Sequence, residues 1–237
     1  MLSLATPVFA YVMSSTSYRM ERDSINFGGG LSTSTSYGDE STLGEVGTGS
    51  STSTSYVIQA GYQQMDGSWV SLSVPATASL APSINIFTGG IASTSVDFSV
   101  STNNGAGYTL QMKSNTNPAL KGATFDFYDY TLDSSAPDYA WSVSSTDAEF
   151  GFTPEGNDIV ARYKDNGASC DQAGGSNNPD TCWDKASTTY MTIAQSAAPN
   201  YPATAVTAVK FKAEAGVDSA ITVGSYTAEM IVTAYTN

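Results

Sequence analysis

The chain has 237 residues, of which 13% are charged, and its 9 basic and 22 acidic residues give a formal net charge of −13. This balance argues against nucleic acid and anionic membrane surfaces as partners, because both are recognised by clustered Lys and Arg. The sequence contains no histidine, which excludes His-based triads, histidine general bases and histidine-ligated metals. The 41% of hydrophobic residues is enough for a sizeable core.

The first thirteen residues, MLSLATPVFAYVM, form an apolar segment with two interpretations. Val8, Phe9 and Ala10 fit the small-x-small pattern of a secretory cleavage site, which would make residues 1–10 the remnant of an export signal. No Lys or Arg precedes the apolar run. The alternative is a donor strand that adds to the sheet edge of a neighbouring subunit. No stretch is as long as a membrane span, so we expect no transmembrane segment.

A phrase rich in Ser and Thr repeats along residues 14–65. Each copy ends in S-T-S-Y, and the tyrosines Tyr18, Tyr37 and Tyr56 lie 19 residues apart. The first two copies share glycines at matched positions, Gly28 with Gly47 and Gly30 with Gly49. The period suits a short strand, a glycine turn and a return segment. Two and a half copies are too few for a free-standing solenoid. We therefore expect a repeated strand edge with small polar side chains that pairs within the subunit or across an interface.

Residues 66–237 show longer alternating strands. Residues 68–74 and 95–101 alternate apolar and polar side chains, and the turn sequence NNGAG predicts a hairpin between residues 95–101 and 108–113. Further predicted strands cover residues 124–130, 139–143, 149–153, 158–163, 189–194, 206–213 and 225–234. Many short strands separated by Gly, Asn and Pro predict an all-β fold, an antiparallel β-sandwich of jelly-roll or immunoglobulin-like type.

The two cysteines, Cys170 and Cys182, close a polar loop, CDQAGGSNNPDTC. Such a pair predicts a disulfide formed outside the cytoplasm. The same loop is rich in oxygen ligands, with Asp171, Asp180 and Asp184 as candidate calcium ligands. The twelve-residue spacing of an EF-hand is absent, and loops rich in Asn and Asp are usually turns. We therefore expect no metal site, with calcium as the alternative.

The sequence offers little evidence for a catalytic site or for an intramolecular isopeptide bond. Without histidine, a catalytic serine would need a lysine partner, and no fitting Ser-x-x-Lys motif stands out. Lys210 and Lys212 alternate with Val209 and Phe211, so we expect both ammonium groups to be solvated and no isopeptide bond to form. Neighbouring acidic residues are expected by chance in a chain with 22 of them. We therefore expect no enzyme and no catalytic residues.

The aromatic cluster FDFYDY, residues 125–130, has two interpretations. One is a platform on which carbohydrate rings stack, with Tyr128 and Trp141 carrying glycan binding. The other, which we favour, is a mixed strand near a sheet edge whose aromatic side chains pack in a core or an interface.

Several stretches resemble secreted bacterial surface β-proteins with S-T-S-Y repeats, which are largely uncharacterised: GGGLSTSTSY, AGYQQM, TNNGAGYTLQMKSNTNPAL and GSYTAEMIVTAYTN. The likeness covers most of the chain and implies β-architecture and an extracellular or cell-surface location, without an activity. In architecture, an all-β secreted subunit with an apolar N-terminal strand is similar to TasA-type and donor-strand-exchange filament proteins.

We therefore predict a structural subunit of an extracellular bacterial filament or surface matrix, a homopolymer assembled by β-strand addition between copies. The predicted subunit interface comprises Leu2, Leu4, Val8, Phe9, Tyr11, Val12, Tyr18, Tyr37 and Tyr56. The alternative is a monomeric surface adhesin or carbohydrate-binding module whose partners are surface glycans.

Overall fold

A computed structural model of the chain describes residues 13–14, 19–20, 28–34, 38–43, 49–52, 57–60 and 68–237. The chain divides into two compact units, Met1–Gly67 and Ser68–Asn237. The described residues form β-strands and one 3-10 helix, Ala161–Tyr163, and contain no α-helix, which confirms the all-β prediction. In this part of the chain no helix is long and apolar enough to cross a membrane.

The described strands of the first unit form three antiparallel pairs: β1 (Met13–Ser14) with β2 (Arg19–Met20), β3 (Gly28–Thr33) with β4 (Gly38–Leu43), and β5 (Gly49–Thr52) with β6 (Val57–Ala60). The S-T-S-Y phrases at residues 15–18, 34–37 and 53–56 separate the two strands of each pair. Gly28 and Gly30 lie in β3 and not in a turn, whereas Gly47 lies outside the described residues.

The second unit contains β7 (Val70–Ser73), β8 (Gly90–Thr102), β9 (Tyr108–Ser114), β10 (Leu120–Lys121), β11 (Tyr128–Asp129), β12 (Ala148–Glu155), β13 (Asp184–Lys185), β14 (Met191–Ser196), β15 (Ala205–Ala215), β16 (Thr227–Ala228) and β17 (Met230–Thr236). A six-stranded sheet has the order β11-β12-β15-β8-β7, with β13 also paired to β12. A three-stranded sheet has the order β14-β9-β17, and β10 pairs with β16. β11 and β12 are parallel, whereas the other pairs are antiparallel.

Both sheets contribute to one hydrophobic core. β8 alternates as its sequence predicts, with Val96, Phe98 and Val100 buried and serines and an aspartate on the other face. The three-stranded sheet adds side chains such as Leu110 and Met112, both fully buried. The core therefore contains side chains from both sheets.

The predicted hairpin between residues 95–101 and 108–113 is wrong. β8 pairs with β7 and β15, whereas β9 pairs with β14 and β17, so the intervening turn carries the chain from one sheet to the other. Asn104 holds this turn, because its side-chain Nδ2 donates to the carbonyl oxygens of Gly107 at 2.9 Å and Asn237 at 3.0 Å. A turn motif predicts a reversal of the chain but not the strand that the returning segment pairs with.

Three other strand predictions also differ from the structure. Residues 139–143 form no strand, and residues 158–163 contain a 3-10 helix that places the fully buried Tyr163 in the core. Of residues 124–130, only the two of β11 form a strand, at the edge of the six-stranded sheet. Tertiary packing decides these short segments, where local propensity is weak.

Candidate assembly groove

The edge of β8 that faces β7 is only partly paired. β7 pairs with β8 from Val70 to Ser73, where Ser73 lies opposite Ser99. The chain returns to this edge only at Ala81, which forms a bridge with Ser93. Within the described part of the chain, no strand or bridge pairs with residues 94–98 on this side. Ser73 and Ala81 are eight residues apart in the chain, whereas their partners on β8, Ser99 and Ser93, are six residues apart. The covering segment (residues 74–80) is therefore longer than a strand that pairs along this stretch.

β17 provides a second open edge. It pairs with β9 on one side, and no described strand pairs with its other side. Some Cα atoms of β7 lie within 8 Å of β17, but no ladder joins the two strands. The opposite edge of the same sheet is better covered, because the backbone N–H of Val160 donates to Ile193 O at 3.2 Å and that of Gln195 to Asp158 O at 2.7 Å.

An apolar groove of about 700 Å³ is lined by residues from both open edges. One wall includes Val96, Phe98 and Phe211 of the six-stranded sheet, and the other includes Met230 and Val232 of β17. The groove therefore lies directly on the hydrophobic core, since these β8 and β15 side chains are less than 10% exposed. We call this cavity the assembly groove.

The covering segment lines the mouth of the assembly groove. Its residues 75–79, PATAS, are all exposed, and no hydrogen bond joins them to the rest of the described chain. Val74 is 43% exposed, and Leu80 is the other large apolar residue. A segment with so few polar contacts can be displaced at a low cost in hydrogen bonding.

The predicted disulfide between Cys170 and Cys182 is confirmed, and a buried carboxylate organises the adjoining loop. Asp165 is 0% exposed and accepts hydrogen bonds from the amide Nδ2 of Asn178 at 2.7 Å and from the backbone N–H of Gly167 at 2.9 Å. Burial opposes ionisation of Asp165, but the hydrogen bonds outweigh it and hold its pKa below the usual range. Protein donors therefore satisfy the oxygen atoms of this carboxylate.

The calcium candidates do not come together. Asp180 Oδ1 lies 2.6 Å from Lys210 Nζ, and the buried Asp184 places Oδ2 2.7 Å from Arg162 Nε. Asp171 is exposed. Across the described ranges, no group of three His, Cys, Asp or Glu side chains could hold a metal ion.

The two aromatic residues of the carbohydrate hypothesis have different surroundings. Trp141 stacks on Tyr130 with ring centroids 4.3 Å apart, meets Trp183 edge-on, and donates its indole N–H to Glu214 at 2.6 Å. These contacts make it part of the packing. Tyr128 is 60% exposed and borders a second, polar groove.

The prediction that Lys212 is solvated is wrong. Its Nζ lies 3.9 Å from the ring centroid of Trp183 and 5.3 Å from that of Trp141. Burial lowers the pKa of Lys212, although attraction to Asp180 and Glu214 opposes the shift. The alternation of β15 placed Lys212 on the outer face correctly, but it did not show that two indole rings cover this face.

The sequence predicted the alternating faces of some groove-lining strands, such as the one that carries Val96 and Phe98, but it did not predict the groove. The groove lies where pairing between neighbouring strands stops. The alternation of apolar and polar residues along β8 does not show this, because it is the same whether or not a neighbouring strand is present. One signal was present: Pro75 and Pro82 flank a run of mostly small residues after β7, and proline disfavours a regular ladder.

The predicted interface residues, from Leu2 to Val12 together with Tyr18, Tyr37 and Tyr56, lie outside the described residues. The chain matches no protein-family model, no curated protein and no solved structure. The resemblance to secreted surface proteins and filament subunits therefore stays a prediction.

Proposed function

We propose that this chain is a structural subunit of an extracellular bacterial filament or surface matrix, and that its copies join by β-strand addition. The observation that supports it best is the apolar assembly groove between two open strand edges. An added strand would bury apolar side chains in the groove and provide partners for unpaired backbone groups at its edge.

The acceptor in this proposal is the edge of β8 at residues 94–98, a stretch of five residues between the β7 ladder and the Ala81 bridge. An extended segment placed there points alternate side chains toward Val96, Phe98 and Met230. We further propose that the two sheets form a β-sandwich that such a strand completes. The covering segment moves aside when the strand enters.

The donor in this proposal is residues 2–13 of another copy. Its even positions include Leu2, Leu4, Val8 and Val12, which lie on one face of an extended strand. Pro7 has no N–H to donate, and Met13 already pairs with Met20 in the β1–β2 ladder. Residues 8–12 lie between them, and their five residues match the length of the acceptor edge. Each valine buried in the groove contributes about 1.5–3 kcal/mol before the cost of ordering the segment.

A donor at one end of the molecule and an acceptor elsewhere on it form a head-to-tail contact, which propagates as a fibre when it does not close. The Cys170–Cys182 disulfide fits an extracellular location, because such bonds persist in oxidising compartments. A low charge content and many hydroxyl side chains fit a subunit that contacts its own copies. The proposed role is structural, without catalysis.

The first test measures binding of a dye-labelled peptide of residues 2–13 to a variant that lacks residues 1–13, by fluorescence anisotropy. We expect saturable binding that falls at least tenfold with Val8→Ser and Val12→Ser, and less with Phe9→Ser and Tyr11→Ser. The second pair removes more apolar area, so nonspecific adhesion would give the opposite order. Absence of binding, or that opposite order, contradicts the proposal.

Two variants of the acceptor provide a matched control. Thr94→Lys places a charge in the groove and should weaken peptide binding at least tenfold, because Thr94 lines the groove. Ile91→Lys lies on the exposed opposite face of β8, outside residues 94–98, and should leave binding unchanged. Equal effects of the two variants would show that the peptide binds elsewhere.

Electron microscopy tests assembly itself. The full chain should form fibres, and removal of residues 1–13 should leave folded monomers. Normal fibres from the truncated variant, or fibres whose subunits begin at residue 11 by mass spectrometry, would contradict the donor assignment.

A further inference from the structure

A second groove lies beside β11 and shares no residue with the assembly groove. Its volume is about 680 Å³, within the range of about 300–1,000 Å³ common for small-ligand sites. Four stretches of the chain line it: Asn117 and Pro118, most of residues 128–134, Asp147 with Glu149, and residues 185–188. We propose that this polar groove binds a carbohydrate chain that carries no acidic sugars.

The lining has the mixture of groups that carbohydrates require. Hydroxyl and amide groups come from Asn117, Tyr128, Thr131, Ser134, Ser187 and Thr188. Carboxylates come from Asp129, Asp147 and Glu149, and an ammonium group from Lys185. A sugar ring presents hydroxyl groups around its rim, so it needs many donors and acceptors within a short distance.

Tyr128 provides the apolar surface that the C–H face of a sugar packs against. Its side chain is 60% exposed, and its ring stands nearly perpendicular to that of Phe125, with an interplanar angle of 77° and centroids 6.5 Å apart. Phe125 therefore does not stack flat on the tyrosine ring, and the 60% exposure leaves much of the tyrosine surface accessible. Trp141 has no comparable free surface, because Tyr130 stacks on it and Lys212 approaches it.

The carboxylates have distinct roles in this groove. Glu149 is 6% exposed and accepts hydrogen bonds from the hydroxyl and backbone N–H of Thr131 at 2.6 and 3.1 Å, which positions the wall after β11. Asp129 accepts one hydrogen bond through Oδ1, from the backbone N–H of Ala119 at 2.9 Å. Its Oδ2 has no partner in the described chain and is available to a ligand hydroxyl. Burial raises the pKa of Asp129, in keeping with a partly desolvated acceptor.

The charge of the groove limits the class of carbohydrate. Three carboxylates and one ammonium group leave an excess of negative charge. A uronic or sialic acid would place its own carboxylate in this field, with repulsion at most positions. Neutral sugars and amino sugars avoid that repulsion, so they are the expected ligands.

The test uses the full chain and four oligosaccharide probes at up to millimolar concentration: a neutral β-glucan, an N-acetylated chitin fragment, a deacetylated chitosan fragment and an oligogalacturonate. Isothermal titration calorimetry should detect binding of at least one of the first three and none of the oligogalacturonate. No binding of the first three, or equal binding of the oligogalacturonate, overturns the proposal.

Variants at Tyr128 then locate the site. Tyr128→Ala should weaken binding at least tenfold, whereas Tyr128→Phe, which keeps the ring, should stay within about threefold of the unmodified chain. Tyr190→Ala is the matched control, since Tyr190 is 45% exposed but lies outside the groove, and it should have no effect. Thermal unfolding of each variant verifies that it folds. Unchanged binding in a folded Tyr128→Ala variant overturns the site, and loss of binding in Tyr128→Phe overturns the stacking role.

Discussion

The two units pair their strands over very different distances along the chain. In the first unit each described strand pairs with the next one in sequence, and four residues separate the innermost pairs Ser14–Arg19, Thr33–Gly38 and Thr52–Val57. In the second unit the longest ladder joins β8 to β15, with Gly90 opposite Ala215. The first pattern follows the period of a repeated phrase, and the second follows no repeat.

This difference shows what sets the register in each unit. A short and constant sequence separation between two paired strands limits which residues can face each other, and its repetition along the first unit goes with a repeated register. A ladder between distant segments has no such limit. Its register is set by the apolar face that must be buried, because a shift of one residue would expose Val96 and Phe98. The second unit therefore depends on its tertiary contacts, and three changes test that dependence: one in the core, one at the disulfide and one at the turn between the two sheets.

The largest effect is expected from Phe152→Ala. Phe152 is 0% exposed, lies in β12 and packs against Tyr163 and Phe211. Its truncation should lower the free energy of unfolding by about 3–5 kcal/mol, because it removes buried area and leaves a cavity. Urea denaturation followed by tryptophan fluorescence reports the second unit alone, since all 3 tryptophans lie in it.

The control for that substitution is Phe87→Ala. Phe87 is 80% exposed, so its removal should change the free energy of unfolding by less than about 0.5 kcal/mol. Similar losses from the two variants would mean that burial in the core does not determine the stability of this unit.

A smaller effect is expected from removal of the disulfide. Replacing Cys170 and Cys182 together with serine frees a loop with a sequence separation of 12, and should lower the free energy of unfolding by about 3 kcal/mol. The same urea titration measures it. A reducing agent should destabilise the unmodified chain and leave the double variant unchanged, and equal sensitivity of both would contradict this role of the bond.

The smallest effect is expected at the turn that joins the two sheets. Asn104→Ala removes hydrogen bonds to Gly107 and Asn237, and should cost about 1–2 kcal/mol in the free energy of unfolding. Ser95→Ala, on the exposed face of β8, should cost less than about 0.5 kcal/mol. If the two variants are equally stable, tertiary hydrogen bonds do not hold this turn, and the contrast with the local loops of the first unit is lost.

Composition and alternation were sufficient to predict the all-β fold, the apolar faces of β8 and β15, and the disulfide. Each depends on neighbouring residues: period-two alternation selects a face of a strand, and two cysteines that close a short polar loop have few other partners. The prediction that the S-T-S-Y phrase is a strand edge concerns residues that lie almost entirely outside the described ranges, and the described ladders run on either side of the phrase.

Only the tertiary structure decided which strands are neighbours and where pairing stops. The NNGAG turn proved to connect two sheets, and the assembly groove exists because β7 ends at Ser73 while β8 continues beyond it. The exposure of Tyr128 and the covering of Lys212 also depend on segments far away in sequence. Alternation specifies which side chains a strand buries but not what lies against its backbone edge, because edge pairing depends on chain packing between distant segments.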